Sequence, residues 1–138
     1  MAVFKTLIVE DSNFFRQFLK ETLHAEFPNI EISEAVDGEE ALQKVQNLLP
    51  HLVFMDIRLP GESGLEITRK IKTQYPDVSV IILTSYDLPE YREAAKKYQA
   101  NHFLSKGSTT KEDILKLVKS IFSGRSIEEA SSNGNKPS

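Results

Sequence analysis

The chain has 138 residues, of which 40% are hydrophobic and 27% charged, a composition typical of one soluble globular domain. The absence of cysteine excludes disulfides, thiolate nucleophiles and thiolate-bound metals, and it fits a cytoplasmic location. A net charge of -3 argues against direct nucleic-acid binding, and the first apolar stretch is too short for a signal peptide or a membrane span.

Strand-like and helix-like segments alternate five times along the chain. The β-rich run at 4–9 and the alternating run at 30–35 are each followed by a helical pattern, the second of which begins at an Asp37 N-cap. The continuous apolar runs at 52–55 and 78–83 are typical of central strands buried on both faces. With a short fifth strand at Phe103-Leu104, the pattern predicts a parallel sheet covered by helices.

The helices differ in how firmly the sequence anchors them. Ser63 is a predicted cap of the third helix, and Thr109 or Thr110 of the fifth. The fourth helix, from residue 88 to about residue 98, has a weak apolar stripe and is expected to be the least firmly held. In the first helix, Phe14 lies beside the buried stripe. We expect it to pack at the edge of the core, with an exposed docking contact as the alternative.

The composition changes after Phe122. The segment that follows is rich in Ser, Gly, Asn, Lys and Pro, and Ile127 is its only strongly apolar residue. Such a segment cannot bury enough surface to fold alone. We therefore predict a folded domain over residues 1–122 and a disordered tail or linker over residues 123–138.

Chemically useful side chains follow four of the predicted strands. They are Glu10-Asp11, Asp56, Thr84 and Lys106. Because ligands bind at the carboxyl ends of strands in open α/β sheets, these groups are expected to converge. A carboxylate can accept a phosphoryl group, and carboxylate oxygens suit Mg²⁺, while a hydroxyl and an ammonium can bind phosphate oxygens. The set predicts a magnesium-dependent phosphorylation site with Asp56 as the nucleophile.

The ordered set of motifs resembles the receiver domain of bacterial two-component response regulators, across roughly residues 3 to 122. The matching stretches are LIVED (7–11), AVDGEEAL (35–42), MDIRLPG (55–61), ILTS (82–85) and FLSK (103–106). Each motif is weak alone, but their order is specific. The resemblance implies a flavodoxin-like (βα)5 fold, doubly wound, with a five-stranded parallel sheet of order 2-1-3-4-5.

The resemblance also implies partners and a cofactor for the site. Asp56 is implied as the residue phosphorylated by a histidine kinase or a histidine phosphotransfer protein. Glu10, Asp11 and Asp56 are implied as Mg²⁺ ligands, with the backbone carbonyl of Arg58 as a further ligand. A signalling switch is expected, whose only chemistry is self-phosphotransfer and autodephosphorylation.

A second group of residues is implied in transmitting the signal. Thr84 would move toward the phosphoryl group, Lys106 would pair with it, and Phe103 matches the rotating switch aromatic. The implied output surface is the fourth helix, fifth strand and fifth helix, which would bind a downstream protein, a tethered output domain or a second copy in a homodimer. Arg58 and Tyr86 flank the path of an attacking water, and we expect them to shield the acyl phosphate.

The sequence departs from the common family pattern at three positions. Phe103 replaces a tyrosine and therefore has no hydroxyl. Gly107 follows Lys106 where the family often has proline, and a cis bond without proline costs about 2.5–4 kcal/mol. Gln99 occupies a helix-end position often held by glycine, where a positive φ is strained.

Three other interpretations stay open from the sequence. The chain could be the receiver portion of a longer DNA-binding transcriptional regulator, whose linker begins after Gly124. An aspartyl-phosphate hydrolase would share the nucleophile and Mg²⁺, but it would usually need a carboxylate where Arg58 stands. A flavodoxin-like flavin binder would need a phosphate loop after the first strand, where Glu10 and Asp11 would repel the phosphate.

Overall fold

The computed structural model describes residues 3–132, and the side-chain surroundings of residues 3–124. Five strands alternate with five helices, as the sequence predicts. In chain order the elements are β1 (Phe4–Val9), α1 (Asn13–Glu26), β2 (Ile30–Ala35), α2 (Gly38–Leu48), β3 (Leu52–Met55), α3 (Gly64–Gln74), β4 (Ser79–Thr84), α4 (Pro89–Lys97), β5 (His102–Ser105) and α5 (Lys111–Ser132).

The five strands form one parallel sheet in the order β2-β1-β3-β4-β5. The register aligns their carboxyl ends, because Val9 pairs with both Ala35 and Met55 and Met55 pairs with Ile82. The predicted flavodoxin-like fold and strand order are confirmed. The residues that follow β1, β3 and β4 therefore emerge at one edge of the sheet.

Burial of the central strands explains why their sequences are continuously apolar. All four residues of β3 are buried, as are the last five of β4. Helices α2 and α3 cover the sheet with Val45, Ile67 and Ile71, all 0% exposed. Each such aliphatic side chain contributes about 1.5–3 kcal/mol through burial, so this layer holds the strand ends in place.

Local capping interactions fix where the helices begin. Asp37 accepts a hydrogen bond from a backbone N–H of α2, and Ser63 from one of α3. Thr110 and Asp113 exchange side-chain-to-backbone hydrogen bonds of 3.0 Å at the start of α5. The predicted caps at Asp37, Ser63 and Thr110 are confirmed. In contrast, α4 begins without a side-chain cap and has one buried residue, which agrees with its weak apolar stripe.

The prediction that Phe14 packs at the edge of the core is wrong. Its side chain is 82% exposed, whereas Leu19 and Leu23 are buried. At 3.6 residues per turn, Phe14 lies about 140° around α1 from Leu19, which directs it to solvent. The neighbouring Phe15 lies closer to the buried stripe and is half-buried.

The chain divides into two compact units. The first runs through Ser108 and contains the sheet and α1–α4, and the second begins at Thr109 and contains α5. Helix α5 continues to Ser132, so residues 123–132 are helical where the sequence predicts a tail. Arg, Glu and Ala within 125–130 are good helix formers, which favours this extension. Residues 133–138 of the predicted tail lie outside the described residues.

Two backbone details bear on the sequence departures. Gln99 has φ of 68°, the positive value expected at a position that glycine often holds. Among residues 3–132 every peptide bond is trans, including the bond between Lys106 and Gly107. Over the same range, no helix is long and apolar enough to cross a membrane.

Candidate functional site

The turn after β1 carries two consecutive carboxylates that differ in burial. The Glu10 N–H continues the sheet by donating to the Ala35 carbonyl at 3.0 Å. Glu10 is 3% exposed, and its Oε2 accepts a 3.0 Å hydrogen bond from the Ser12 N–H. Asp11 is exposed. One carboxylate therefore faces the interior of the site, and the other faces solvent at its rim.

Asp56 is held at the end of β3 by backbone contacts. Its N–H donates to the Val9 carbonyl at 3.0 Å, and its Oδ1 accepts from the Ile57 N–H at 2.7 Å. The residue is 6% exposed. The first residue of α3, Gly64, packs so closely that a Cβ there would lie 1.8 Å from the Asp56 carbonyl oxygen. The start of α3 thus directly supports the backbone of Asp56.

Lys106 links the strand ends. Its N–H donates to the Thr84 carbonyl at 2.8 Å, which anchors the residue beside β4. Its Nζ lies 2.6 Å from Glu10 Oε1 and 3.2 Å from Asp56 Oδ2. The same ammonium stands 4.1 Å above the centre of the Phe15 ring. One cation therefore binds two buried carboxylates from different strands and contacts an aromatic face from α1.

Burial dominates the electrostatics of Glu10. Removal from water raises the pKa of its carboxyl group above the ordinary value, and the negative charge of Asp56 acts in the same direction. The hydrogen bonds from Lys106 and from the Ser12 N–H oppose this shift. The contact with Lys106 thus favours the charged form of this buried carboxylate, against the effect of burial on its pKa.

The three acidic groups have the chemistry of a magnesium site. Glu10, Asp11 and Asp56 each offer a carboxylate oxygen within 4.8 Å of the others. Mg²⁺ prefers such oxygen ligands and retains several waters, so a partly open cluster suits it. Lys106 balances one of the three charges, which leaves an excess matching a divalent cation. The residues present therefore fit Mg²⁺.

Contacts within and between the loops that follow β3 and β4 involve Thr84, Arg58 and Tyr86. Thr84 is 0% exposed, and its Oγ1 accepts from the Tyr86 N–H at 3.3 Å. The Arg58 guanidinium lies 4.3 Å from the centre of the Tyr86 ring. The two residues singled out as shields are thus in contact and connect the loop after β3 with the loop after β4.

Phe103 is half-buried on β5 and packs against the core cluster. The Arg92 guanidinium of α4 lies 4.6 Å from the centre of its ring. Arg92 is also paired with Asp87 in the β4–α4 loop, with Nη2 3.1 Å from Oδ2. The aromatic residue implied as a switch is therefore connected to the loop that follows Thr84.

The sequence analysis did not identify two contributors to the site, both from α1. Phe15 places the face of its ring against the ammonium of Lys106, a contact that helical spacing alone does not predict. Arg16 donates from Nη1 to the Glu10 carbonyl at 2.7 Å and from Nε to Glu34 Oε1 at 2.9 Å. A basic residue one turn after the acid pair was the available signal for Arg16.

Comparisons with known proteins give matches over most of the chain. The family model for the response regulator receiver domain matches residues 6–119. Response regulator GacA from Pseudomonas protegens is 30% identical over 122 residues, covering 88% of this chain and 56% of that protein. Transcriptional activator protein ExaE from Pseudomonas putida is 35% identical over 123 residues, covering 89% and 57%. The chain thus spans a little more than half the length of these curated relatives.

A solved structure gives the same result for the fold. The crystal structure of a CheY-like response regulator receiver domain protein from Methanospirillum hungatei superposes with a TM-score of 0.84 at 26% identity. The match covers 92% of this chain and 99% of that one. The likeness extends over the whole receiver fold.

Proposed function

The chain belongs to the response regulator receiver family, and on that premise we propose that Asp56 is its phosphoacceptor, loaded by a histidine kinase or a histidine phosphotransfer protein. The transfer breaks the phosphorus–nitrogen bond of the donor phosphohistidine and forms a phosphorus–oxygen bond to the Asp56 carboxylate. The product is an acyl phosphate. The observation that carries the proposal is the Lys106 ammonium bonded to both Glu10 and Asp56 at the strand ends.

Mg²⁺ is the proposed cofactor. Asp11 at the rim and Asp56 would bind it directly, with the Arg58 carbonyl as a further ligand. Both oxygens of Glu10 already accept hydrogen bonds, from Lys106 and from the Ser12 N–H, so Glu10 would act through a bound water. The ion offsets the repulsion between the anionic donor and the anionic acceptor.

Lys106 and Thr84 are the proposed binding groups for the transferred phosphoryl group. Phosphorylation adds about -1.5 to -2 charges, which attract the ammonium already beside Asp56. The Thr84 hydroxyl accepts from the Tyr86 N–H in this structure, and it can also donate its proton to a phosphate oxygen. Reorientation of this hydroxyl would shift the loop that contains Tyr86.

Arg58 and Tyr86 are the proposed modulators of the phosphate lifetime. The stacked side chains follow Asp56 and Thr84 by two residues each, and we expect them to lie where a water would approach the acyl phosphate. Because a cation over an aromatic ring is partly ordered, the pair would form a more persistent cover than either side chain alone. Tyr86→Ala is expected to speed autodephosphorylation, and an unchanged rate would contradict the shielding role.

The proposed output is a change of partner affinity at the α4–β5 surface. Movement of the loop after β4 would displace Asp87, and with it Arg92 and the ring of Phe103. A partner that binds one arrangement more tightly would shift the equilibrium by that difference. The length of GacA and ExaE supports a tethered output domain as one such partner, and a separate downstream protein is the other.

Intact-mass measurement after incubation with acetyl phosphate tests the central step. We expect a base-labile phosphate adduct that requires Mg²⁺ and is absent from Asp56→Asn. Asp87→Asn is the matched control, because it changes an exposed aspartate on a neighbouring loop, and it should keep the adduct. A folded protein that binds Mg²⁺ and forms no adduct would refute phosphoacceptance and favour a receiver that acts through protein contacts alone.

A further inference from the structure

Arg16 is anchored between the acid pair and the neighbouring strand. Its side chain is 13% exposed, and Nε pairs with Glu34 Oε1 at 2.9 Å on β2. Its Nη1 donates to the Glu10 carbonyl at 2.7 Å, and Nη2 donates to Asn13 Oδ1. The guanidinium therefore reaches three partners on three segments of the chain, which a planar fork of donors allows.

The contact with the Glu10 carbonyl matters because of where this carbonyl lies. It belongs to the peptide unit that joins Glu10 to Asp11, after the last strand residue of β1. The sheet restrains the Glu10 N–H through Ala35. The Arg16 hydrogen bond restrains the carbonyl of the next peptide unit, and the orientation of that unit determines where the Asp11 carboxylate lies.

We propose that Arg16 is a positioning residue for magnesium binding, which fixes the Glu10–Asp11 peptide so that Asp11 faces Glu10 and Asp56. The inference rests on the proposed function of the site, and it adds a residue outside the acidic cluster. Such supporting contacts commonly change metal affinity by about 10- to 100-fold when they are removed.

The positive charge of Arg16 and its hydrogen bond to the Glu10 carbonyl have opposite expected effects on Mg²⁺ affinity, so the inference can be tested. A positive charge close to a cation site weakens cation binding, so loss of that charge alone would tighten it. Loss of the restraint on the peptide would weaken binding. Glu34 offsets the charge of Arg16 and is also bound by Lys20, whose Nζ lies 2.9 Å from Glu34 Oε2. Lys20 therefore provides a matched control, since it shares Glu34 with Arg16.

The experiment compares Mg²⁺ affinity by isothermal titration calorimetry in wild type, Arg16→Lys, Arg16→Gln and Lys20→Gln. Arg16→Lys keeps the charge but lacks the fork, and we expect about tenfold weaker binding. We expect Arg16→Gln to bind more weakly as well, against the direction of its charge change. Lys20→Gln should bind Mg²⁺ as tightly as wild type or more tightly.

A second measurement uses the metal-free protein and needs no phosphorylation. In Arg16→Lys we expect displaced NMR signals and faster hydrogen exchange for the Asp11 and Ser12 amides, with circular dichroism reporting that the fold is retained. Lys20→Gln should leave these two amides unchanged.

The inference is overturned if Arg16→Lys binds Mg²⁺ as tightly as wild type, if Arg16→Gln binds more tightly, or if Lys20→Gln weakens binding equally. A wild type that binds no Mg²⁺ refutes the proposed cofactor and this inference with it, whereas normal binding in wild type and both Arg16 variants refutes this inference alone.

Discussion

Gly64→Ala is predicted to disrupt the proposed phosphoacceptor more than the same change at Gly61 or Gly38. An added Cβ would lie 1.8 Å from the carbonyl oxygen of Asp56, 2.8 Å from its carbonyl carbon and 3.1 Å from the Ile57 Cα. All three neighbours are backbone atoms, so no side-chain rotation can relieve the contact. The strand end and the first turn of α3 would have to separate.

The size of the separation determines the expected energy. Real Cβ atoms do not approach other heavy atoms closer than 3.0 Å, so the Asp56 carbonyl must retreat by about 1 Å. Overpacking of this kind costs about 1–3 kcal/mol and more where neighbours cannot yield. Alanine regains about 1 kcal/mol of helix propensity at this helical position. Because the crowded neighbours are backbone atoms, we place the overpacking cost above that range, at about 4 kcal/mol, and expect a net loss of about 3 kcal/mol in the free energy of unfolding, together with slower phosphorylation of Asp56.

Two other glycines provide controls with different physical origins. Gly61 has φ of 81° and no heavy atom within 4 Å of an added Cβ, so Gly61→Ala adds only backbone strain of about 1–2 kcal/mol. At Gly38 the Cβ would contact the end of the Ile67 side chain at 2.5 Å, which can move. Urea denaturation followed by circular dichroism would rank the variants. A Gly64→Ala protein as stable as Gly61→Ala, with normal phosphorylation, would refute the reasoning.

Two further predictions concern the support of the site. Phe15→Leu keeps an apolar side chain but removes the ring beneath Lys106, so acetyl phosphate should phosphorylate the protein about 3- to 10-fold more slowly. The neighbouring Phe14→Leu, at an 82% exposed position, should react like wild type. Equal phosphorylation rates for the two variants would contradict a role of the Phe15 ring in the reaction. The hydrogen bond from Lys20 lowers the pKa of Glu34 below its ordinary value of 4.5. The charged carboxylate therefore stabilises the folded state above pH 4.5, and this stabilisation is lost as the pH falls through the lowered pKa. Because a third of the Glu34 side chain is exposed, solvent screens its ion pairs. We therefore expect Glu34→Gln to lower the free energy of unfolding by only about 0.5–1 kcal/mol at pH 7. In urea denaturation, the stability difference between wild type and Glu34→Gln should narrow below pH 4.5. A stability difference independent of pH would contradict the lowered pKa of Glu34.

Much of the fold could be predicted from the sequence because the sheet is parallel and its central strands are buried on both faces. Continuous apolar runs such as residues 52–55 have few alternative placements, and Asp37, Ser63 and Thr110 fix helix starts through local hydrogen bonds. The strand order could not be predicted in this way. Periodicity does not determine which strands are neighbours, and here the order followed from the resemblance of the motifs to receiver domains.

The parts that escaped prediction depend on contacts between distant segments. The stack of Arg92 on Phe103 and the reach of Arg16 to Glu34 require a known angle between elements, which a single sequence does not provide. Phe14 illustrates a related limit, because a position beside a helical stripe can face either way. The roles of Thr84 and Phe103 as moving parts remain predictions, since one structure presents one arrangement.

The position of Lys106 would let one residue serve the proposed site both before and after phosphorylation. An ammonium has three N–H donors on a flexible stem, and here two of them are committed to Glu10 and Asp56. A phosphoryl group on Asp56 would compete for the same donors with a larger charge. An unpaired Glu10 carboxylate would be costly because the residue is buried. Glu10 would then have to share the Lys106 ammonium with the phosphate. On the proposed function, the cost of that redistribution would oppose phosphorylation, and Mg²⁺ together with the new phosphate contacts would have to outweigh it.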